Sequence, residues 1–225
     1  MIEQPAPKVA ILNYGMSNLF SVKNTCEKID LKCEITSDKS MIIDSDAIIM
    51  PGVGAFGNAM DNLKKLDLIL PIKDFIASGK PFLGICLGMQ LLMSESEEFG
   101  TTKGLDIIKG KVIKFPILNR NMERVKNPHI GWNKIYFTGQ GNAHESILKN
   151  IDNGEYMYFV HSYFVNTFRK ENTITTTEYY GIEFCSGLKK GNILGFQFHP
   201  EKSGKCGLEI IRNFKEIINS GGLNG

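Results

Sequence analysis

The sequence has no run of eighteen uncharged apolar residues, the length a helix needs to cross the hydrocarbon of a bilayer, so no membrane partner is expected. A secretory leader is not expected either. The first apolar run, residues 9–12, is too short for a signal-peptide core and leads into Asn13, not a cleavage site. A cytoplasmic location follows as an expectation. Neither sign of charge is in excess: 26 basic and 24 acidic side chains leave a formal net charge of +2. Nucleic-acid binders usually carry a strong basic excess or stripe, so no nucleic-acid partner is expected. Cysteine is sparse. Cys26, Cys33, Cys86, Cys185 and Cys206 are odd in number and show no C-x-x-C spacing, which argues against a disulfide framework or a zinc site. No metal and no organic cofactor are expected. Linkers, internal repeats and low-complexity segments are also missing. The 225 residues therefore read as one domain, 1–225, with 1–7 and 220–225 expected to fray.

What is present is a core. Apolar residues make up 42% of the chain, and 23 glycines bring the total near that of an ordinary globular domain. The first half alternates strands and helices. A strand over 8–12 breaks at Asn13-Tyr14-Gly15-Met16-Ser17, and Ser17 is a candidate N-cap. An amphipathic helix follows, with Leu19, Val22, Cys26 and Ile29 on one face. A buried strand over 45–50 ends at Pro51-Gly52-Val53-Gly54. A helix over 58–78, interrupted near Pro71, leads to a third strand over 80–85, and a helix is entered directly from it at Cys86. This order predicts an α/β fold: a mixed, largely parallel open sheet flanked by helices, with chemistry at the carboxyl ends of its strands. The second half is β-rich. Candidate strands cover 111–115, 134–137, 156–165, 173–180, 182–188 and 193–198, and an amphipathic helix over 205–219 closes the chain.

Gly84-Ile85-Cys86-Leu87-Gly88 joins a hydrophobic strand to a helix. That is the thiol form of a nucleophile elbow, where a sharp turn exposes the reactive atom and its neighbours two positions away must lack bulk. The thiol would face the positive end of the following helix, which favours a thiolate, and the Leu87 N–H would be free for an oxyanion. A buried structural cysteine at a Gly-containing junction fits the same residues. A thiol nucleophile needs a base and an orienter. Of His129, His144, His161 and His199, the last ends a strand and is followed two residues later by Glu201, whose carboxylate could fold back onto one ring nitrogen. His144 reads as a surface residue, and His161 and His129 as structural or pocket-lining residues. The glycine-rich turn at 51–57 exposes backbone N–H groups after a buried strand. Beside an active thiol it suits an oxyanion hole, although a tight turn alone fits it also.

Two stretches, Phe82-Leu83-Gly84-Ile85-Cys86-Leu87-Gly88-Met89-Gln90 and Phe196-Gln197-Phe198-His199-Pro200-Glu201-Lys202-Ser203, resemble the class I, triad-type glutamine amidotransferases. Three more, Asn13 to Leu19, Pro128 to Asn133 and Tyr158 to Tyr163, are similar to the glutaminase-subunit family of imidazole glycerol phosphate synthase. The resemblance implies a flavodoxin-like core and a Cys86–His199–Glu201 triad that hydrolyses glutamine through a thioester. It implies an oxyanion hole and glutamine site at Gly52, Val53, Gly54, Leu87, Gln90, Ser162 and Tyr163. It implies a heterodimer with a (β/α)₈-barrel synthase (cyclase) subunit that receives the ammonia, and an interface and ammonia mouth at Asn13, Trp132, Asn133 and Lys202. Activity of the isolated chain is expected to be low. Two readings stand beside this one: a paralogue supplying ammonia for amidination of a surface-polysaccharide sugar, and a catalytically silent regulatory subunit. A cysteine peptidase is disfavoured, because Gln90 and the Gly52 turn suit a small amide.

Overall fold

The computed structural model describes residues 6–139 and 146–223. His144 and the outermost residues of both termini lie outside that range. The first half comprises β1 (Val9–Leu12), α1 (Leu19–Glu27), β2 (Cys33–Thr36), α2 (Lys39–Asp44), β3 (Ala47–Gly52), α3 (Phe56–Lys65), α4 (Ile69–Ala77), β4 (Phe82–Cys86) and α5 (Leu87–Leu91). The second half adds β5 (Met93–Ser96), β6 (Thr102–Lys103), β7 (Ile108–Lys114), β8 (His129–Lys134), β9 (Tyr136–Phe137), β10 (Tyr156–His161) and β11 (Tyr163–Thr167). It ends with β12 (Thr173–Tyr179), β13 (Ile182–Lys190), β14 (Ile193–Phe196) and α6 (Gly204–Asn219).

Five strands, in the order β2-β1-β3-β4-β14, form a parallel core. The sheet continues through antiparallel β13, β11 and β7 to a short edge of β5 and β6, with β12 and β9 branching from β13. The side-chain period of two sorts the core strands into two layers. Val9, Ile11, Ala47, Ile49, Leu83 and Ile85 face the layer that buries Val22 and Cys26 of α1 and Ile210, Ile211 and Phe214 of α6. Ala10, Leu12, Ile48, Met50 and Phe82 face the other, under Ile42 of α2, Met60 and Leu63 of α3 and Ile72 and Phe75 of α4. Both faces being covered is why these strands read as continuous apolar runs. Among the described residues no helix is long and apolar enough to cross a membrane.

The structure corrects several boundaries. Asn18, not Ser17, precedes the first helix, in the left-handed region at φ 83°, and its side chain does not cap the helix. The helix over 58–78 is two helices. The break falls at 66–68, where Asp67 has φ 50°, and Pro71 sits in the first turn of α4, where its missing N–H costs no helical bond. The single strand expected over 156–165 divides at Ser162. β10 pairs with β8 in a separate two-stranded ribbon, and β11 joins the main sheet. β2, α2, β5 and β6 are too short to leave a periodic signal. In the segment expected to fray, the Leu223 N–H donates to Asn192 Oδ1 at 3.0 Å.

Candidate active site

Cys86 ends β4 and begins α5 with φ 52° and ψ −108°, a conformation that residues bearing a Cβ rarely adopt. Strained backbone of this kind concentrates at functional sites. The flanking glycines explain how the turn closes. A Cβ on Gly84 would lie 2.8 Å from the Met89 nitrogen, and one on Gly88 would lie 1.7 Å from the Met50 carbonyl oxygen of β3. We therefore expect Gly88→Ala to destabilise the protein by about 3 kcal/mol, because two backbone segments must separate to admit one methyl group. Urea unfolding measures the loss. α5 is only five residues long, so the helix contributes little aligned dipole at the thiol, less than a helix entered at Cys86 was expected to supply. The stronger positive neighbour is an imidazole.

That imidazole is His199, three residues beyond β14 and fully buried. Its backbone is pinned on both sides: the His199 N–H donates to the Tyr158 carbonyl at 2.9 Å, and the Ser203 hydroxyl donates to the His199 carbonyl at 2.7 Å. Nδ1 lies 2.7 Å from Glu201 Oε1. Buried Nε2 has no hydrogen bond of ordinary geometry. Burial acts to lower the pKa of His199. The negative charge of the nearby Cys86 sulfur and then the hydrogen bond and charge of Glu201 outweigh it, and the pKa is pushed up to about 10. Burial likewise disfavours the Glu201 carboxylate, but hydrogen bonds from His199 and Asn18 hold its pKa below the ordinary range. Cys86, at the β4–α5 junction, is thus brought together with His199 and Glu201, both on the segment after β14, at the carboxyl edge of the sheet. Asn18 joins them: its Nδ2 donates to Glu201 Oε1 at 2.6 Å. No spacing rule in the sequence pointed to Asn18, whose contact spans 183 positions.

The rest of the predicted pocket surrounds the sulfur. β3 ends at Gly52, which is in register with Cys86, and a Cβ there would strike the Tyr14 hydroxyl and crowd Leu87. The Tyr14 hydroxyl donates to the Pro51 carbonyl at 2.7 Å, which anchors the loop running on through Val53 and Gly54. Ser162 and Tyr163 form the crossing from ribbon to main sheet, and the Val160 carbonyl lies 3.9 Å from the Cys86 sulfur. Gln90 is buried, and its amide N–H groups go to the Tyr163 carbonyl at 2.9 Å and to Gln197 Oε1 at 3.0 Å, so it can offer a ligand only its carbonyl oxygen. Beside Ser162 and Tyr163 opens a cavity of about 600 Å³ that also holds Glu98, Lys114, Arg124 and Lys126. Glu98, fixed by the Phe56 N–H at 2.6 Å, gives this space an acid among bases. It was not singled out from sequence, because nothing local marks it.

Behind the pocket lies a pair of buried histidines. His129 Nδ1 and His161 Nε2 are 3.0 Å apart, and His161 Nδ1 is 2.8 Å from the Tyr163 carbonyl. A carbonyl only accepts, so His161 carries its proton on Nδ1 and accepts at Nε2 from His129. Both rings are neutral: burial pushes His129 down to about 4 and, with the charge of His129, His161 down to about 3. The unfolded chain takes up these protons near pH 6.5 and the folded chain does not. Their stabilising share is therefore complete above pH 6.5 and is lost as pH falls toward 4 and 3. We expect urea stability to drop by a few kcal/mol over that window. The drop should be shallower in His129→Phe, since this ring is already stacked between Phe159 and Tyr179.

The four residues expected at the partner mouth divide. Trp132, 54% exposed, meets Tyr158 at 6.0 Å between ring centroids, and Lys202 Nζ stands 5.9 Å over the same Tyr158 ring. With Ile130 and Tyr156 they form an exposed apolar face on the ribbon. Asn133 does not share it. Strand alternation turns it to the opposite side, where its Nδ2 donates to the Glu178 carbonyl at 2.8 Å and contacts His129 Nε2. Asn13 is held in its own turn, accepting from the Gly15 N–H at 3.3 Å.

The glutamine amidotransferase class-I family model matches residues 10–217. The chain is 42% identical over 217 residues to the imidazole glycerol phosphate synthase subunit HisH of Moorella thermoacetica, covering 96% of this chain and 98% of that one. It is 46% identical over 210 residues to the HisH subunit of Caldanaerobacter subterraneus subsp. tengcongensis, covering 93% and 98%. Among solved structures, PurLQS from Thermotoga maritima superposes with a TM-score of 0.69 over 93% of this chain and 98% of that chain, at 18% identity, a likeness of fold. The chain belongs to the class-I glutamine amidotransferase family, in the branch formed by the HisH subunits of imidazole glycerol phosphate synthase.

Proposed function

We infer that this chain is the glutaminase subunit of an imidazole glycerol phosphate synthase: it hydrolyses glutamine to glutamate and ammonia and passes the ammonia to a synthase subunit in histidine biosynthesis. The observation that carries the chemical half is the 2.7 Å His199–Glu201 contact beside a cysteine held in a strained elbow. The Cys86 thiolate attacks the carboxamide carbon. Charge moves to the amide oxygen, where the Leu87 N–H and a backbone N–H of the Gly52-Val53-Gly54 turn receive it. Each such donor is worth about 3–4 kcal/mol in comparable oxyanion holes. His199, kept protonated by Glu201, gives its Nε2 proton to the departing ammonia. The C–N bond breaks and a γ-glutamyl thioester remains. Water, relieved of a proton by the now neutral His199, attacks the thioester carbon, and the C–S bond breaks to return the thiolate and release glutamate. Gln90 and the backbone at Ser162 and Tyr163 shape the pocket. Glu98 is the candidate partner of the substrate's α-ammonium, and Lys114, Arg124 and Lys126 of the same cavity are the candidates for its α-carboxylate.

Free ammonia is largely protonated in water and then non-nucleophilic, so synthesis requires a covered route. The face of Ile130, Trp132, Tyr156, Tyr158 and Lys202 adjoins the Cys86 edge and is apolar enough to be sealed by a partner. The (β/α)₈-barrel synthase subunit docks there, making a heterodimer. The test is glutamate release by the chain mixed with candidate barrel subunits and their acceptors. Turnover is expected with the histidine-pathway barrel and its phosphoribosyl-formimino carboxamide nucleotide. Turnover only with a sugar-acceptor partner would replace this reading with the polysaccharide one.

A further inference from the structure

Gln197 lies between β14 and His199 and is fully buried. It is not needed to form the triad, yet its side chain ends a hydrogen-bond chain whose direction can be deduced. The Tyr163 carbonyl can only accept, so the group of Gln90 facing it at 2.9 Å is the amide nitrogen. The same nitrogen faces Gln197 at 3.0 Å, so Gln197 presents its oxygen there. Its nitrogen must then point the other way, toward the Cys86 sulfur, 3.6 Å distant. The amide cannot flip without setting N–H against N–H at Gln90 and oxygen against the sulfur. A buried N–H donor is therefore locked onto the reacting atom by partners that never touch it.

We propose that Gln197 is a catalytic residue of this site, whose side-chain amide holds and stabilises the Cys86 thiolate. A thiolate accepts a hydrogen bond far better than a thioester sulfur, because its charge is localised. The donor therefore acts twice. It favours the charged nucleophile before attack. It also stabilises the negative charge that sulfur takes up with the electron pair when water cleaves the thioester C–S bond. His199 acts on the same sulfur from the imidazole side, so the two donors divide the work: His199 carries a proton to nitrogen, and Gln197 keeps its own. This inference rests on Cys86 being the nucleophile.

The test is the rate at which iodoacetamide alkylates Cys86 in the full-length chain, followed by mass spectrometry from pH 5 to 10. In Gln197→Met, which keeps length and burial but removes the donor, the half-maximal pH is expected to rise by about one unit, with a roughly tenfold slower reaction at neutral pH and an undiminished plateau. A merely structural role would lower the whole profile without moving it, and that result, or an unmoved profile, would overturn the proposal. Side-chain ¹⁵N–¹H resonances of Gln197 in the wild-type chain give a second readout that needs no variant. They are expected to shift with the same midpoint as alkylation, and resonances indifferent to it would contradict the inference. Failure of the nucleophile reading looks different: wild-type Cys86 would then alkylate normally while a glutamine-mimicking electrophile left it unlabelled.

Discussion

Cys86→Ala is expected to lower glutamine hydrolysis in the assembled synthase by roughly 10⁵–10⁶-fold, the scale seen when a covalent nucleophile is removed from a triad enzyme. The loss belongs to kcat. Cys86 does not line the cavity of Glu98, Ser162 and Tyr163 proposed to hold the substrate, so glutamine should still bind the variant with an affinity within a fewfold of wild type. Substituting an alanine at φ 52° retains the strain of the elbow without adding bulk. Ammonium salts supplied at high pH should restore product formation by the partner subunit, because the defect lies in making ammonia and not in using it. Calorimetry with glutamine and a coupled assay with ammonium chloride measure the two halves. A variant that retained a tenth of wild-type glutamate release would exclude Cys86 as the nucleophile.

Glu201→Gln comes second, with an expected loss of about 10³–10⁴-fold in kcat/KM, by analogy with neutralising the orienting carboxylate of a serine triad. The carboxylate does two things to His199. It accepts the Nδ1 proton at 2.7 Å, which leaves Nε2 to face the sulfur, and its charge favours the imidazolium. An amide at 201 could present its nitrogen to Nδ1 and select the other tautomer. The sign of the pH effect follows from the raised pKa. In the wild type the imidazolium persists until pH rises through about 10. Without the carboxylate it is lost at lower pH, so the basic limb of the rate profile moves down. Asn18→Ala should move it the same way by less, because Asn18 acts on His199 mainly through Glu201 Oε1 at 2.6 Å and stands farther, at 3.5 Å, from His199 Nδ1.

The parallel core was legible because its strands are buried on both faces and leave uninterrupted apolar runs. The elbow was legible because steric exclusion imposes glycine on both sides of Cys86. Short-range chemistry likewise exposed the His199–Glu201 pair, two residues apart. What escaped is what only the third dimension joins. Asn18 meets Glu201, Gln90 meets Gln197, and Glu98 reaches the cavity of Ser162, each across tens to hundreds of positions with no local signature. The family resemblance grouped Asn133 with Trp132, whereas adjacency in a strand places their side chains on opposite faces. The Tyr156 to Val165 run looked continuous because β-branched and aromatic residues continue through Ser162. Composition alone does not show that the backbone there leaves one sheet for another.

The proposed chemistry requires a γ-glutamyl thioester at one sulfur among the five cysteines. Intact-mass and peptide-mapping spectrometry after exposure to 6-diazo-5-oxo-L-norleucine, in the presence of the partner subunit, tests it directly. One adduct per chain, mapped to Cys86, suppressed by excess glutamine and lost in Cys86→Ala, is the predicted result. Labelling at another residue, or full glutamate release from a chain that takes up no label, would contradict it.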